Sequence, residues 1–193
     1  MKNKGLLVFS LLFCYGSLLE AQTVRKLDTT IQIGKVGYRI SCNNKKPDEN
    51  TITIAPVGFE NTATTATFTF KGRVTGAEID DFNNDGYPDM VAYAYTGISG
   101  EIGSIIGISS SENKGFMPIM FPDIYNDPKL RVGYKGHDTF RLVEGTLMRS
   151  FPIYNPSDAA DNPTGGKRVV QYNVVTSPNG RPSFNVLRSY EIK

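Results

Sequence analysis

From Thr29 onward, apolar residues recur at every second position in short runs, and turn-forming residues separate the runs. Side chains on a strand alternate between two faces, so a period of two predicts half-buried β-strands rather than helices. The runs are rich in Val, Ile, Thr, Tyr and Phe, which suit a pleated surface. Strands are expected over 29–33, 36–42, 51–55, 65–71 and 73–79. Residues 90–95 (Met-Val-Ala-Tyr-Ala-Tyr) are apolar on both faces, as a central strand would be, and 102–108 follows at hairpin distance as its expected partner. Near the C-terminus, 167–175 and 184–192 flank a turn containing Asn179-Gly180, with Phe184, Val186, Tyr190 and Ile192 expected on the core side and Arg188 the exception. Helical patterning is poor. Pro118, Pro122 and Pro128 suggest an irregular excursion over 115–130 with at most a helical turn, 144–154 reads as a strand or a short irregular arm, and the Pro-, Gly- and Asp-rich stretch 155–166 reads as a surface loop. The expected fold is all-β: an antiparallel β-sandwich of roughly eight to ten strands with little helix.

The first residues break this pattern. Lys2 and Lys4 precede an apolar run from Leu6 to Phe13, and small and polar residues follow to Ala21. That is the pattern of a secretory signal peptide over 1–21, cleaved near Ala21, with 22–193 forming a single exported β domain, periplasmic or secreted. The apolar run is too short for a membrane span, which takes about 20 residues, and no later segment qualifies. Phe13 stands where a small residue would precede a lipid-accepting Cys14. Without Lys2, Lys4 and Glu20 the chain is close to neutral, so neither nucleic acid nor a charged membrane surface is an expected partner. The exported part keeps only Cys42, on the apolar side of 36–42, which excludes an internal disulfide and points to a buried, inert thiol. Arg141, Arg149, Lys167, Arg168, Arg181 and Arg188 gather in the last third of the chain and acids between Glu78 and Asp89, a segregation able to steer a partner if the side chains share a face.

The clearest chemical signal is Asp81-Phe82-Asn83-Asn84-Asp85-Gly86-Tyr87-Pro88-Asp89. Asp81, Asn83, Asp85, Asp89 and the Tyr87 carbonyl offer hard oxygen ligands around a glycine bend, and Ca²⁺ takes roughly six to eight such oxygens. An EF-hand would need flanking helices and a Glu where Ala92 stands, so the loop instead resembles the calcium loops of FG-GAP and VCBS repeats. The alternative is a turn without any ion, since Asn, Asp, Gly and Pro favour turns by themselves. The loop occurs once, which excludes a propeller built of such repeats.

Catalytic patterns are absent. His137 is the only histidine and lies in a polar loop, there is no Gly-x-Ser-x-Gly elbow, one His and one Cys cannot build a zinc site, and no Trp offers a sugar-stacking platform. A non-enzymatic protein is expected.

Several segments in succession carry a resemblance: the aspartate-rich turn before a central strand, a glycine- and serine-rich loop after it, Glu144-Gly145-Thr146-Leu147-Met148-Arg149-Ser150-Phe151-Pro152-Ile153-Tyr154, then Asn162-Pro163-Thr164-Gly165-Gly166-Lys167-Arg168 and Gln171-Tyr172. Together, over about residues 76–175, they resemble the periplasmic inhibitors of invertebrate-type (I-type) lysozyme. The resemblance implies an exported β-sandwich that plugs a lysozyme cleft with a loop bearing a Ser-Gly-x-Tyr motif. The corresponding loop is Thr96, Gly97, Ile98, Ser99, Gly100, Glu101, Ile102 and Gly103. Ser99 and Gly100 agree with the motif, whereas Ile102 replaces the tyrosine and Glu101 would bring a negative charge near the cleft acids. The partner implied is therefore a lysozyme, with a homodimer as one implied assembly. The rival expectation is a calcium-stabilised envelope or adhesion module that binds cell-wall glycan or peptidoglycan.

Overall fold

The computed structural model describes residues 26–60, 63–99 and 101–193; the expected leader at 1–21 and Gly100 lie outside the described residues. Twelve strands follow in order: β1 (Leu27–Ile33), β2 (Val36–Cys42), β3 (Glu49–Val57), β4 (Ala66–Lys71), β5 (Arg73–Asp80), β6 (Asp89–Thr96), β7 (Ile102–Ser111), β8 (Gly115–Ile119), β9 (Thr139–Val143), β10 (Thr146–Pro152), β11 (Lys167–Thr176) and β12 (Pro182–Ile192). They form three four-stranded antiparallel meanders, β1–β4, β5–β8 and β9–β12, in each of which chain neighbours pair.

The three sheets stack, and β6 shows why. Its even positions Met90 and Ala92 join Tyr38, Ile40, Ile52 and Ile54 of the first sheet in one core, while Val91 and Tyr93 join Phe140, Leu147, Val170, Tyr172 and Phe184 of the third sheet in another. A strand that buries both faces must be apolar on both, as residues 90–95 are. The middle sheet is therefore sandwiched twice. Hydrogen bonds Met120 N–H to Pro182 O and Phe184 N–H to Met120 O further tie the end of β8 to β12.

The all-β antiparallel expectation matches this architecture, with strand number above the expected eight to ten. The two additional strands are β8 and β9. β8 carries Pro118 on the outer edge of its sheet, where a missing N–H removes no ladder bond, and β9 has five residues with Arg141 in the middle. The expected helical turn is a single 3₁₀ turn at Ile124–Asn126. The open reading of 144–154 resolves as strand β10. One face assignment is corrected. A register shift opposite Gln171 and Tyr172 pairs Tyr172 with Val186 but Gln171 with Arg188, so the strand skips Leu187 and its later residues change sides. Phe184 stays in the core, Val186 is opposite Tyr172 but 39% exposed, and Tyr190 and Ile192 turn outward and are 41% and 50% exposed.

Candidate functional site at the β6–β7 hairpin

The last paired residues of β6 and β7 are Tyr95 with Gly103 and Thr96 with Ile102, which leaves residues 97–101 as the tip of the hairpin. Ile98 is fully exposed, at 104%, and Ser99 and Gly97 are exposed beside it. Thr96, Glu101 and Ile102 are half-buried and Gly103 is buried. Gly97 has φ +98°, a conformation that L side chains rarely adopt. The Glu101 carboxylate accepts the Ser99 N–H at 2.8 Å, and bonds from its own backbone N–H and from Ser99 hold its pKa below the ordinary value. Glu101 is thus folded back as an internal staple of the tip instead of standing outward as a free charge.

Beneath the tip lies a buried polar cluster. Arg149 is 2% exposed, although it sits on the core side of its strand between the core residues Leu147 and Phe151. Its Nε donates to Asp138 Oδ1 at 2.7 Å and its Nη2 donates to the Tyr134 hydroxyl at 2.9 Å and the Gly103 carbonyl at 3.4 Å. Asp138 Oδ2 accepts the Gly103 N–H at 2.8 Å and the Tyr134 O–H at 2.6 Å. Burial works against the Arg149 charge, but the Asp138 carboxylate outweighs it and raises the guanidinium pKa. The rings of Phe121, Tyr134, Phe140 and Phe151 surround the guanidinium at 5.2–5.8 Å. The Glu101 carbonyl accepts the backbone N–H groups of His137 and Asp138. Gly103 is required here: a Cβ would stand 2.5 Å from Phe140 Cε2 and 2.8 Å from the Asp138 Cβ. The base of the hairpin is therefore pinned at both Glu101 and Gly103. The residue pattern held a signal for this cluster, because Leu147, Arg149 and Phe151 share a face and an arginine of core parity demands a buried acid.

A groove of about 340 Å³ runs along the same hairpin, with Thr96, Ile102, Phe121, Tyr125 and Arg149 among its walls.

The acidic loop joins β5 to β6 at the other end of β6. Asp81 accepts the N–H groups of Asp85 at 3.0 Å and Gly86 at 2.8 Å; Asp85 accepts the Tyr87 N–H at 2.9 Å and the Asn83 amide at 2.8 Å. Asp89 is fully buried and accepts the Phe82 and Ser110 N–H groups at 3.1 and 2.8 Å. Burial is the main cause that raises its pKa, to about 6. The Tyr38 hydroxyl donates to the Pro88 carbonyl at 2.7 Å, which ties the loop to the first sheet. Among the described residues, no three His, Cys, Asp or Glu side chains are gathered as an ion site. The oxygens of Asp81 and Asp85 serve the turn itself, and each ionised carboxylate keeps further lone pairs that could meet a cation. The donor types are those Ca²⁺ takes, but Asp89 is fully buried with both oxygens on backbone N–H groups, and the Asn83 amide turns its nitrogen to Asp85.

His137 is exposed, and Cys42 is a free, buried cysteine whose pKa burial raises. The cationic cluster divides: Arg149 and Arg168 are buried, whereas Arg141, Lys167, Arg181 and Arg188 are exposed. Among the described residues no helix is long and apolar enough to cross a membrane. Comparison of the chain with family models, with curated proteins and with solved structures finds no match in any of the three.

Proposed function

We propose that this chain is an exported, non-enzymatic binding protein whose β6–β7 hairpin occludes the substrate cleft of a lysozyme. The observation that carries the reading is the contrast within the hairpin, whose tip at Ile98 and Ser99 is exposed while its base is pinned by a buried ion pair. A preorganised loop loses little conformational freedom on binding, so more of its contact energy appears as affinity. In the cleft, Ser99 would exchange hydrogen bonds with the catalytic carboxylates, and Gly97 and Gly100 would permit close backbone approach. Ile102 lacks the hydroxyl and ring of the tyrosine in the motif, and Ile98 supplies an apolar contact at the tip in its place.

The test is a titration of the purified protein against invertebrate-, chicken- and goose-type lysozymes acting on cell walls. Inhibition of at least one type, weakened by Ser99→Ala and by Ile98→Asp, supports the reading. No inhibition at large excess, with wall fragments retaining the protein, transfers it to the glycan-binding module.

Calcium is a separable part of the proposal. Asp81, Asn83, Asp85, Asp89 and the Tyr87 carbonyl would hold the ion, which would add charge neutralisation to a turn that already closes by its own hydrogen bonds. A ligand that prefers the folded state raises the melting temperature by mass action. A rise with Ca²⁺ that chelator reverses and Asp85→Ala abolishes supports the site; an unchanged midpoint reduces the loop to a turn.

A further inference from the structure

The outer-side residues of β9–β12 include cations and no carboxylate. Leu142 and Leu147 pair and pack on the core side, so the neighbouring pair of Arg141 and Met148 lies on the other side; Met148 and Val169, at the middle of this face, are buried, and its exposed groups include Arg141, Arg188 and Tyr190 with Lys167 and Ile192. Met148 pairs with Gln171 and Gln171 with Arg188, which makes one row across all four strands: Arg141, Met148, Gln171, Arg188. The next rows are Thr139, Ser150, Val169, Tyr190 and then Pro152, Lys167, Ile192. The single acidic residue in these four strands, Glu191, is paired instead with Arg168, which reaches inward to the carbonyls of Lys129, Leu130 and Val132. The register shift after Val186 is what brings Arg188 and Tyr190 onto this side.

Among the described residues, Arg141, Lys167 and Arg188 make no ion pair, and all three are exposed. Arg188 donates to the Gln171 side chain and lies 5.7 Å from the Tyr190 ring, so its guanidinium is held in place. Three strand spacings separate Arg141 from Arg188, about 14 Å between backbones. That span exceeds a single small anion and suits a polymer with repeated charges.

We propose that this face binds an acidic polysaccharide, one whose sugars carry carboxylates, laid across the strands from Arg141 to Arg188. Guanidinium groups recognise carboxylates in a bidentate fork, the Tyr190 ring offers a flat apolar patch, and the Gln171 and Asn173 amides on the same face supply neutral hydrogen bonds. A lipid surface fits less well, because membrane attraction of this kind is built from about four to eight clustered cations. This face is separate from the hairpin tip, and the inference does not depend on lysozyme binding.

The experiment measures binding of the purified protein to polygalacturonate, to its methyl ester, and to vesicles of phosphatidylglycerol mixed with phosphatidylcholine. Binding to polygalacturonate alone is expected, weakening as salt rises. The double variant Arg141→Gln/Arg188→Gln should bind roughly 25-fold more weakly, from about a fivefold loss for each exposed charge contact. Its melting temperature should be unchanged, since both side chains are exposed. The matched variant Lys35→Gln/Lys45→Gln, altered in the turn and loop that connect β1 to β2 and β2 to β3, should bind as the parent does. Failure to bind polygalacturonate, equal binding of the ester, a preference for the vesicles, or an equal loss in the matched variant would each overturn the proposal.

Discussion

Asp138→Asn replaces one carboxylate oxygen with an N–H₂ group and changes almost no volume. Asp138 accepts three bonds, from Arg149 Nε, Gly103 N–H and the Tyr134 hydroxyl. An amide offers one oxygen, so whichever way it turns it presents an N–H₂ to at least one of these donors. Arg149 also loses its carboxylate while remaining in a site where 2% of its side chain is exposed. Removing one partner of a buried ion pair costs about 3–5 kcal/mol, because the other charge stays buried and uncompensated. Total stability is commonly about 5–15 kcal/mol, so roughly a fifth or more of the folding free energy is at stake. Urea unfolding reads the loss as a lower midpoint at constant slope. Adding Arg149→Met removes the stranded charge, so the double variant should be less damaged than the sum of the single ones. Under conditions where Asp138→Asn remains folded, amides of residues 97–103 should exchange faster and lysozyme inhibition should weaken. A cost below about 1 kcal/mol, the size of an exposed pair, would refute the reasoning, as would strict additivity with Arg149→Met.

Gly103→Ala places a methyl group against Phe140 and Asp138, and overpacking of this kind should cost about 1–3 kcal/mol by urea unfolding and displace the hairpin base. Cys42 is buried and its pKa raised, so a thiol reagent at pH 8 should label it only as the protein unfolds; rapid labelling of the folded protein would contradict that placement. Glu101 has a lowered folded pKa, so the support it gives the tip is present above its ordinary value of 4.5 and lost as pH falls through the folded pKa. The Ser99 amide resonance should therefore titrate with a midpoint below 4.5, and a midpoint at or above that value would contradict the staple.

How much of this was legible in the residues depended on the strength of local alternation. Residues 36–42 show clean alternation between turn residues, and the observed β2 has the expected bounds. Residues 90–95 are apolar on both faces, which foretold a central strand but not that each face meets a different sheet. β8 and β9 were hidden because a proline or an arginine occupies a short run, and edge strands tolerate both. The outward turn of Tyr190 followed from a bulge, whose position depends on pairing with β11 rather than on the residues of β12 alone. The hairpin tip was visible as a glycine-rich interval between two pairing strands. Its support was not, since Asp138, Arg149 and Gly103 meet only through tertiary packing. The acidic loop was legible as oxygen-rich, yet its carboxylates cap the turn's own amides, a use that the same residue types serve equally well.

The most direct test of the central claim is a hydrogen-exchange footprint of the protein, free and in the presence in turn of invertebrate-, chicken- and goose-type lysozyme. Slowed exchange concentrated at residues 96–103 on adding the enzyme is the predicted result. No change there, or protection confined to the outer face of the third sheet, would contradict the hairpin as the inhibitory element.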